Sequence, residues 1–273
     1  MSEPVWSWLD GAPLQADWML DRGLHYGDGL FETMLLRRGR LRFGALHAAR
    51  LAEGCKRLHI HCNAIAAVEQ AQQLLSDGDA MVKLIVTRGV ATERGYAPSG
   101  NERARVLLLR YAAPTTEAPG VPDTAIALLQ AQLGENPLLA GLKHLNRLEL
   151  VMARAQLQGS GCFEGILCSS TGNLACGTMS NLFIVDNDRL LTPRVDRCGI
   201  AGVMRAVVLR EAQQMGLTVQ ECDMPAAVLQ QAEQAFITNV RLGVRPITRI
   251  GTRALQAGHL TLQLRQRVAD LEA

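Results

Sequence analysis

The sequence predicts an α+β protein built as two domains, on three observations. Short apolar, strand-like runs are mixed irregularly with amphipathic helices instead of alternating strictly with them. A stretch rich in Pro, Thr and Gly, Ala112–Asp123, separates two apolar regions and reads as a linker. The chain has 273 residues, 48% hydrophobic and 20% charged, enough to bury a sizeable core without disulfide or metal staples. The boundaries that follow are a small N-terminal domain over 1–112, a linker over 113–123 and a larger C-terminal domain over 124–273.

Each element has its own signal. Between Ala45 and Ile60, Leu51, Cys55 and Leu58 recur at helical spacing and predict a helix with a buried stripe. Asn63 caps a second helix that runs to Leu75 and stops at Asp77-Gly78-Asp79. Met81–Thr87 and Arg105–Tyr111 are short, apolar and partly β-branched, so they read as strands. Beyond the linker, Ala125–Leu129 is a strand, and Leu145, Leu148, Met152 and Ala155 mark the apolar face of a helix. Strands follow at Gly165–Cys168, Asn181–Val185, Leu190–Thr192, Leu217–Glu221 and Ala235–Val240. A helix over Gly202–Met215 and another at the C-terminus complete the pattern.

Composition excludes several functions. Lys+Arg is 28 and Asp+Glu 26, and the signs are mixed along the chain, so no concentrated basic surface for nucleic acid is expected. No apolar run approaches the ~20 residues of a membrane span. The start of the chain lacks a basic segment followed by a long apolar one, so a cytoplasmic protein with no membrane partner is expected. Seven cysteines, an odd number, do not suggest a disulfide framework. Cys55, His59, His61 and Cys62 do not match a two-pair zinc spacing, and Cys55 lies on the buried stripe, so no metal is expected.

Chemistry that needs an amine has three candidates, because the lysines are Lys56, Lys83 and Lys143. Lys56 sits beside Arg57 on the wet side of its helix, and Lys83 alternates with apolar neighbours in a strand. Lys143 lies where an apolar turn opens into a helix. Burial and a positive helix end would both ease its deprotonation, as Schiff-base chemistry requires. The plainer alternative is a first-turn lysine in solvent. Cys198-Gly-Ile-Ala-Gly-Val-Met-Arg205 runs from a glycine-punctuated turn into a helix, as a phosphate cradle does and as an ordinary loop-to-helix junction also does. Arg50 offers a forked charge for the same anion, or is a solvated helix arginine. Asp21–Thr33, dense in Gly, Asp and aromatics, reads as a loop that brings backbone close to a ligand. Thr87–Tyr96 carries Arg88, Arg94 and Tyr96, which suit a carboxylate-bearing substrate or a basic surface turn.

Taken together these stretches resemble the class IV aminotransferase family, the fold-type-IV pyridoxal-phosphate enzymes with a D-amino-acid aminotransferase-like fold. The resemblance rests on Asp21-Arg-Gly-Leu-His-Tyr-Gly-Asp-Gly-Leu-Phe-Glu-Thr33, His47-Ala-Ala-Arg50-Leu, Arg94-Gly-Tyr96, Ala140-Gly-Leu-Lys-His-Leu-Asn-Arg-Leu-Glu149, Ser180-Asn-Leu-Phe183 and Gly199-Ile-Ala-Gly-Val-Met-Arg205. They keep the family's order over nearly the full length, and the runs around Lys143 and Arg94 point to its lyase branch.

The resemblance implies two α/β domains around pyridoxal 5'-phosphate, in a homodimer with active sites near the subunit interface. It makes Lys143 the Schiff-base lysine and general acid/base. Arg50 and the backbone of Val203 and Met204 would hold the cofactor phosphate, with Asn239 at another phosphate-side turn. Thr33 would act on the substrate, and Tyr26, Arg88 and Arg94 would bind it. The implied reaction is loss of pyruvate from 4-amino-4-deoxychorismate to give 4-aminobenzoate, a folate precursor. A D-amino-acid or branched-chain aminotransferase is the alternative on the same scaffold. One position departs from the family: a glutamate five residues before the Asn of Asn-Leu-Phe normally pairs with the pyridine nitrogen, and here Cys176 stands there. A thiol, or a nearby hydroxyl such as Thr178, would hold that nitrogen only weakly. A neutral or merely hydrogen-bonded ring nitrogen is therefore expected, which harms transamination more than elimination.

Overall fold

The computed structural model describes residues 6–9, 20–75, 77–90, 95–113 and 124–271. The chain divides into two compact units: Met1–Thr115 with Leu142–Asn146, and Thr116–Gly141 with Arg147–Ala273. This differs from the expected domains where it matters most. Lys143 was expected in the C-terminal domain, but its segment groups with the first unit, because its backbone pairs with a strand there. Of the expected linker, residues 114–123 lie outside the described residues.

The first unit comprises β1 (Trp6–Leu9), α1 (Arg22–Tyr26), β2 (Gly29–Arg37), β3 (Arg40–Leu41), α2 (Gly44–Arg57), α3 (Ala64–Leu74), β4 (Ala80–Thr87) and β5 (Arg105–Ala112). The strands form one antiparallel sheet in the order β1-β5-β4-β2-β3. The Asp21–Thr33 stretch, expected as a loop, is instead a short helix leading into a strand. Asp21 caps α1 by accepting from Gly23 N at 2.7 Å, and Gly27, at φ +63, ends it. The chain then enters β2, whose Leu30, Met34, Leu35 and Leu36 are buried, as are Val82, Leu84 and Val86 of β4. α2 turns Leu51 and Cys55 inward, as its spacing predicts. Asn63 caps α3 by accepting from Ala66 N.

The second unit comprises β6 (Ala125–Leu133), α4 (Leu148–Ala155), β7 (Glu164–Ser169), β8 (Leu174–Gly177), β9 (Asn181–Asp186), β10 (Arg189–Pro193), α5 (Val203–Gln214), β11 (Thr218–Cys222), α6 (Ala226–Gln231), β12 (Gln234–Asn239), β13 (Gly243–Pro246), β14 (Arg249–Ile250), β15 (Arg253–Ala254) and α7 (His259–Asp270). Two sheets, β11-β10-β9-β12-β13 and β15-β14-β6-β7-β8, share a core that includes Ile126, Ile166, Leu182 and Ile237. Phe183 of β9 and Phe236 of β12 are fully buried and stack at 4.9 Å.

The apolar face expected for α4 points outward. Leu148, Val151 and Met152 are 71%, 60% and 61% exposed, while Ala153 is buried. Among the described residues no helix is long and apolar enough to cross a membrane. None of their His, Cys, Asp and Glu side chains form a group of three or more placed to hold a metal ion.

Candidate active site

In the first unit, β2 holds the lysine segment by backbone pairing. Phe31 N donates to the Lys143 carbonyl at 2.9 Å and Leu145 N to the Gly29 carbonyl at 3.0 Å, with Leu30 opposite His144 in an antiparallel bridge. Asn146 Nδ2 donates to the Gly27 carbonyl at 3.0 Å, and a Cβ on Gly27 would lie 2.6 Å from Asn146 Oδ1, so a side chain there would push the segment away. Lys143 is therefore not at a helix start as expected, since α4 begins only at Leu148. Its position is fixed by strand pairing.

The Lys143 Nζ lies 4.2 Å from the centroid of the Phe31 ring. Lys83 Nζ lies 5.1 Å from the same centroid. Thr33 faces Lys83 across the β2–β4 register and shares Phe31's side of the strand. Burial pushes the Lys83 ammonium below its ordinary pKa, and no acidic partner for it is found among the described residues. Sequence reasoning passed over Lys83. Its signal was a lone cation alternating with apolar residues in a strand beside the one that carries Thr33.

On β2, Glu32 is buried and meets α2. It accepts from Arg50 Nε at 2.8 Å, from Arg50 Nη2, and from His47 Nδ1 at 2.6 Å. Burial would raise the Glu32 pKa, but Arg50 and His47 outweigh it and hold the carboxyl below the ordinary range. Arg50 is thus an ion-paired, oriented guanidinium and not a solvated helix arginine.

Arg88 was expected to bind substrate, and the structure gives it another task. Its Nε and Nη2 donate to Asp28 at 2.7 and 3.0 Å, and its Nη1 and Nη2 to the carbonyls of His59 and Leu58. Asp28 also accepts from Arg22, which donates onward to the Gly95 and Tyr96 carbonyls. Arg88 therefore ties the end of α2 to the α1–β2 turn, and Arg22 holds the loop that follows β4. Tyr26 lies over the Arg22 guanidinium at 4.9 Å and meets the exposed Tyr96 edge-on at 5.4 Å. Arg94 lies outside the described residues.

In the second unit, α5 starts at Val203 with Gly202 as N-cap and no capping side chain, so its first backbone N–H groups have the arrangement that suits an anion. A Cβ on Gly202 would sit 2.1 Å from Asn181 Oδ1, so only glycine fits this turn. Val203 and Met204 bury their side chains, which leaves their backbone as the functional part. Asn239 is largely engaged by the protein: Nδ2 donates to the Met179 carbonyl at 3.1 Å, and Oδ1 accepts from Arg241 N and Leu242 N. It shapes two turns.

Cys176 is buried on β8, in an apolar cluster with Leu167, Ala153 and Cys198. Burial, then the charges of neighbouring acidic groups, push its thiol up to about 12, so it is neutral at pH 7. Arg147 is the cation within its electrostatic reach. Thr178 is no alternative donor for a ring nitrogen, because its hydroxyl donates to Glu164. Glu164 escaped sequence reasoning altogether. Fully buried, it accepts from Thr178 N at 3.1 Å, Met179 N at 3.2 Å, Ser180 Oγ at 2.8 Å and Arg154 Nη1 at 3.2 Å. These bonds build the turn between Cys176 and Asn181. The donors lie far from Glu164 in sequence and carry no motif.

Each unit by itself carries features that suit a phosphorylated cofactor that takes an amine: a strand-pinned lysine and an oriented arginine in the first, an uncapped glycine-led helix start in the second. The buried, unpartnered His47 Nε2 beside the Arg50 pair shows that this corner is built for polar contact. The chain belongs to the amino-transferase class IV family, whose model matches residues 29–250, a pyridoxal-phosphate-dependent family. Both lyases and aminotransferases are among the relatives. Aminodeoxychorismate lyase of Vibrio harveyi is 32% identical over 249 residues, 89% of this chain and 90% of its own. The solved 4-amino-4-deoxychorismate lyase of Pseudomonas aeruginosa has a TM-score of 0.88 at 38% identity, over 97% of this chain and 98% of its own. A putative branched-chain-amino-acid aminotransferase of Methanocaldococcus jannaschii is 29% identical over 264 residues, 93% of this chain and 90% of its own. The fold is the α+β, fold-type-IV arrangement expected from the sequence.

Proposed function

We propose that this chain is a pyridoxal-phosphate-dependent lyase that converts 4-amino-4-deoxychorismate into 4-aminobenzoate and pyruvate, a step toward folate. The observation that carries the reading is Lys143, held on β2 with its Nζ over Phe31 beside a second cation, Lys83. Family membership and the two lyase relatives support it.

Pyridoxal phosphate, when bound, supplies an aldehyde for an amine and a conjugated ring that draws electron density. By the family resemblance, Arg50 of the first unit and the backbone N–H groups of Val203 and Met204 of the second are the residues that would hold its phosphate. Lys143 would be the amine that holds the cofactor. Its Nζ would take the proton from the ring carbon that bears the substrate's amine. The electrons left behind expel the neighbouring enolpyruvyl oxygen. The carbon–oxygen bond breaks, the leaving enolate gains a proton to become pyruvate, and the six-membered ring becomes aromatic. Because aromatisation drives the step, a strong electron sink is not required, and a neutral Cys176 in place of a carboxylate is compatible with it.

The substrate carries two carboxylates. We assign one to Lys83, which is half-buried, has no acidic partner among the described residues and faces Thr33 across the β2–β4 register; Arg94 and Tyr26 are assigned to the remainder. Arg88 supports the loop instead. The exposed Leu148, Val151 and Met152 stripe on α4 is the face a second copy of the chain would cover in a homodimer. We assign the protein to the cytoplasm.

The test is incubation of the cofactor-loaded protein with 4-amino-4-deoxychorismate. Equal amounts of pyruvate and 4-aminobenzoate are expected, and Lys143→Ala should lose about 1000-fold or more. Keto-acid formation from D- or branched-chain amino acids without 4-aminobenzoate would replace this reading with the aminotransferase.

A further inference from the structure

Glu32 and His47 have no role in the chemistry above, yet both are only 1% exposed; Glu32 meets the arginine assigned to the phosphate, and His47 meets Glu32. Both carboxylate oxygens of Glu32 are occupied: Oε1 accepts from Arg50 Nε, and Oε2 accepts from His47 Nδ1 and Arg50 Nη2. An ionised carboxylate only accepts, so Nδ1 of His47 carries the proton. Burial pushes the imidazole below its ordinary pKa; Glu32 opposes this, and the charges of Arg50 and Lys143 add to it. His47 is therefore neutral, and its Nε2 is a buried lone pair with no partner among the described residues.

The charges of this cluster cancel: one carboxylate, one guanidinium, one neutral imidazole. By themselves these three groups present no net positive charge to an arriving anion; the Lys143 charge that reaches His47 lies outside the trio. What the trio supplies is direction. Arg50 Nε and Nη2 are bonded to Glu32, and these two bonds fix the plane of the guanidinium.

We propose that Glu32 and His47 are positioning residues for Arg50, so that the site recognises a phosphate monoester by the direction of its donors and not by excess charge. This rests on the reading of Arg50 as a phosphate ligand. It also predicts a sign that simple electrostatics reverses. Removing a negative charge beside a phosphate-binding arginine should tighten binding if charge dominates. If orientation dominates, it should weaken it.

The experiment measures dissociation constants of the full-length, cofactor-free protein for pyridoxal 5'-phosphate and for pyridoxal, which lacks the phosphate. Glu32→Gln keeps the shape and removes the charge. We expect it to weaken pyridoxal 5'-phosphate about tenfold or more, the size of one charge-assisted hydrogen bond lost, and pyridoxal less than about twofold. His47→Asn keeps a donor where Nδ1 stands and should stay within about threefold of wild type, while His47→Leu should weaken the phosphorylated ligand about fivefold or more. Circular dichroism confirms that each variant is folded, and the two His47 variants carry the test if Glu32→Gln does not fold. Unchanged or tighter binding of the phosphorylated ligand in Glu32→Gln, equal losses for both ligands, or His47→Leu matching wild type would overturn the proposal. If wild type itself binds the two ligands equally, the assignment of Arg50 to phosphate fails, which is a separate result.

Discussion

Glu32 on β2 and Glu164 on β7 are both sealed carboxylates, but their partners differ in kind. Glu32 is met by two ionisable side chains of a single helix, His47 and Arg50. Glu164 is met mainly by backbone N–H groups and hydroxyls of the turn over 178–180, with Arg154 at its half-exposed margin. Side-chain partners can be turned toward a ligand while they satisfy the carboxylate. Backbone partners cannot, and there the carboxylate organises the turn itself. The contrast separates a charge that prepares a binding site from one that holds a fold together.

Removal of Glu164 is the strongest way to break this contrast. Glu164→Ala strands the donors of the turn, and a loss of about 3–5 kcal/mol in unfolding free energy is expected by urea titration. If Glu164→Ala instead left stability intact and changed only cofactor affinity, the two carboxylates would not differ as described. Acid sharpens the contrast next. Glu32 sits below its ordinary 4.5 in the native state, so its ionised form contributes stability above that value, and this is lost as pH falls through the native pKa. Asp28, held below 3.8 by Arg88 and Arg22 against the effect of burial, acts in the same direction. The stability gap between wild type and Glu32→Gln should therefore be widest above pH 4.5 and narrow as the solution is acidified, at about 1–3 kcal/mol at its widest. A gap that widens in acid would contradict the ion pairing.

Cys176→Glu asks which pattern a third carboxylate would follow. Its surroundings offer Arg147 and an apolar cluster, so it should behave like Glu32, altering chemistry more than fold. We expect keto-acid formation to rise about tenfold relative to elimination, a barrier change of about 1.4 kcal/mol. An unchanged ratio would show that Cys176 does not set the ring's electronics. The smallest effect is a control remote from both carboxylates in chemistry: Asn63→Ala removes the α3 cap and should cost about 1 kcal/mol with no change in cofactor affinity.

The same contrast explains what could be read from sequence. α2, α3 and α5 were legible because a local signal marks each one: apolar spacing in α2, the Asn63 cap in α3 and the glycine-punctuated turn before α5. β2 was hidden, because Gly27-Asp28-Gly29 signals a turn and the buried Glu32 breaks the apolar alternation. Lys143 was recognised by its motif, but the force that holds it is a strand pairing between residues distant in the chain. Glu164 carried no signal, since backbone N–H groups have no residue identity. The α4 stripe was legible as one apolar face of a helix, but its exposure was not, because spacing does not say what packs against a face.

The central claim is that residue 143 carries the cofactor. Borohydride reduction of the pyridoxal-phosphate-loaded protein followed by peptide mass mapping tests it directly. The account predicts a phosphopyridoxyl mass on the peptide containing Lys143 and none on those containing Lys56 or Lys83. A label on Lys83, the amine across the Phe31 ring, or on no lysine at all, would contradict it.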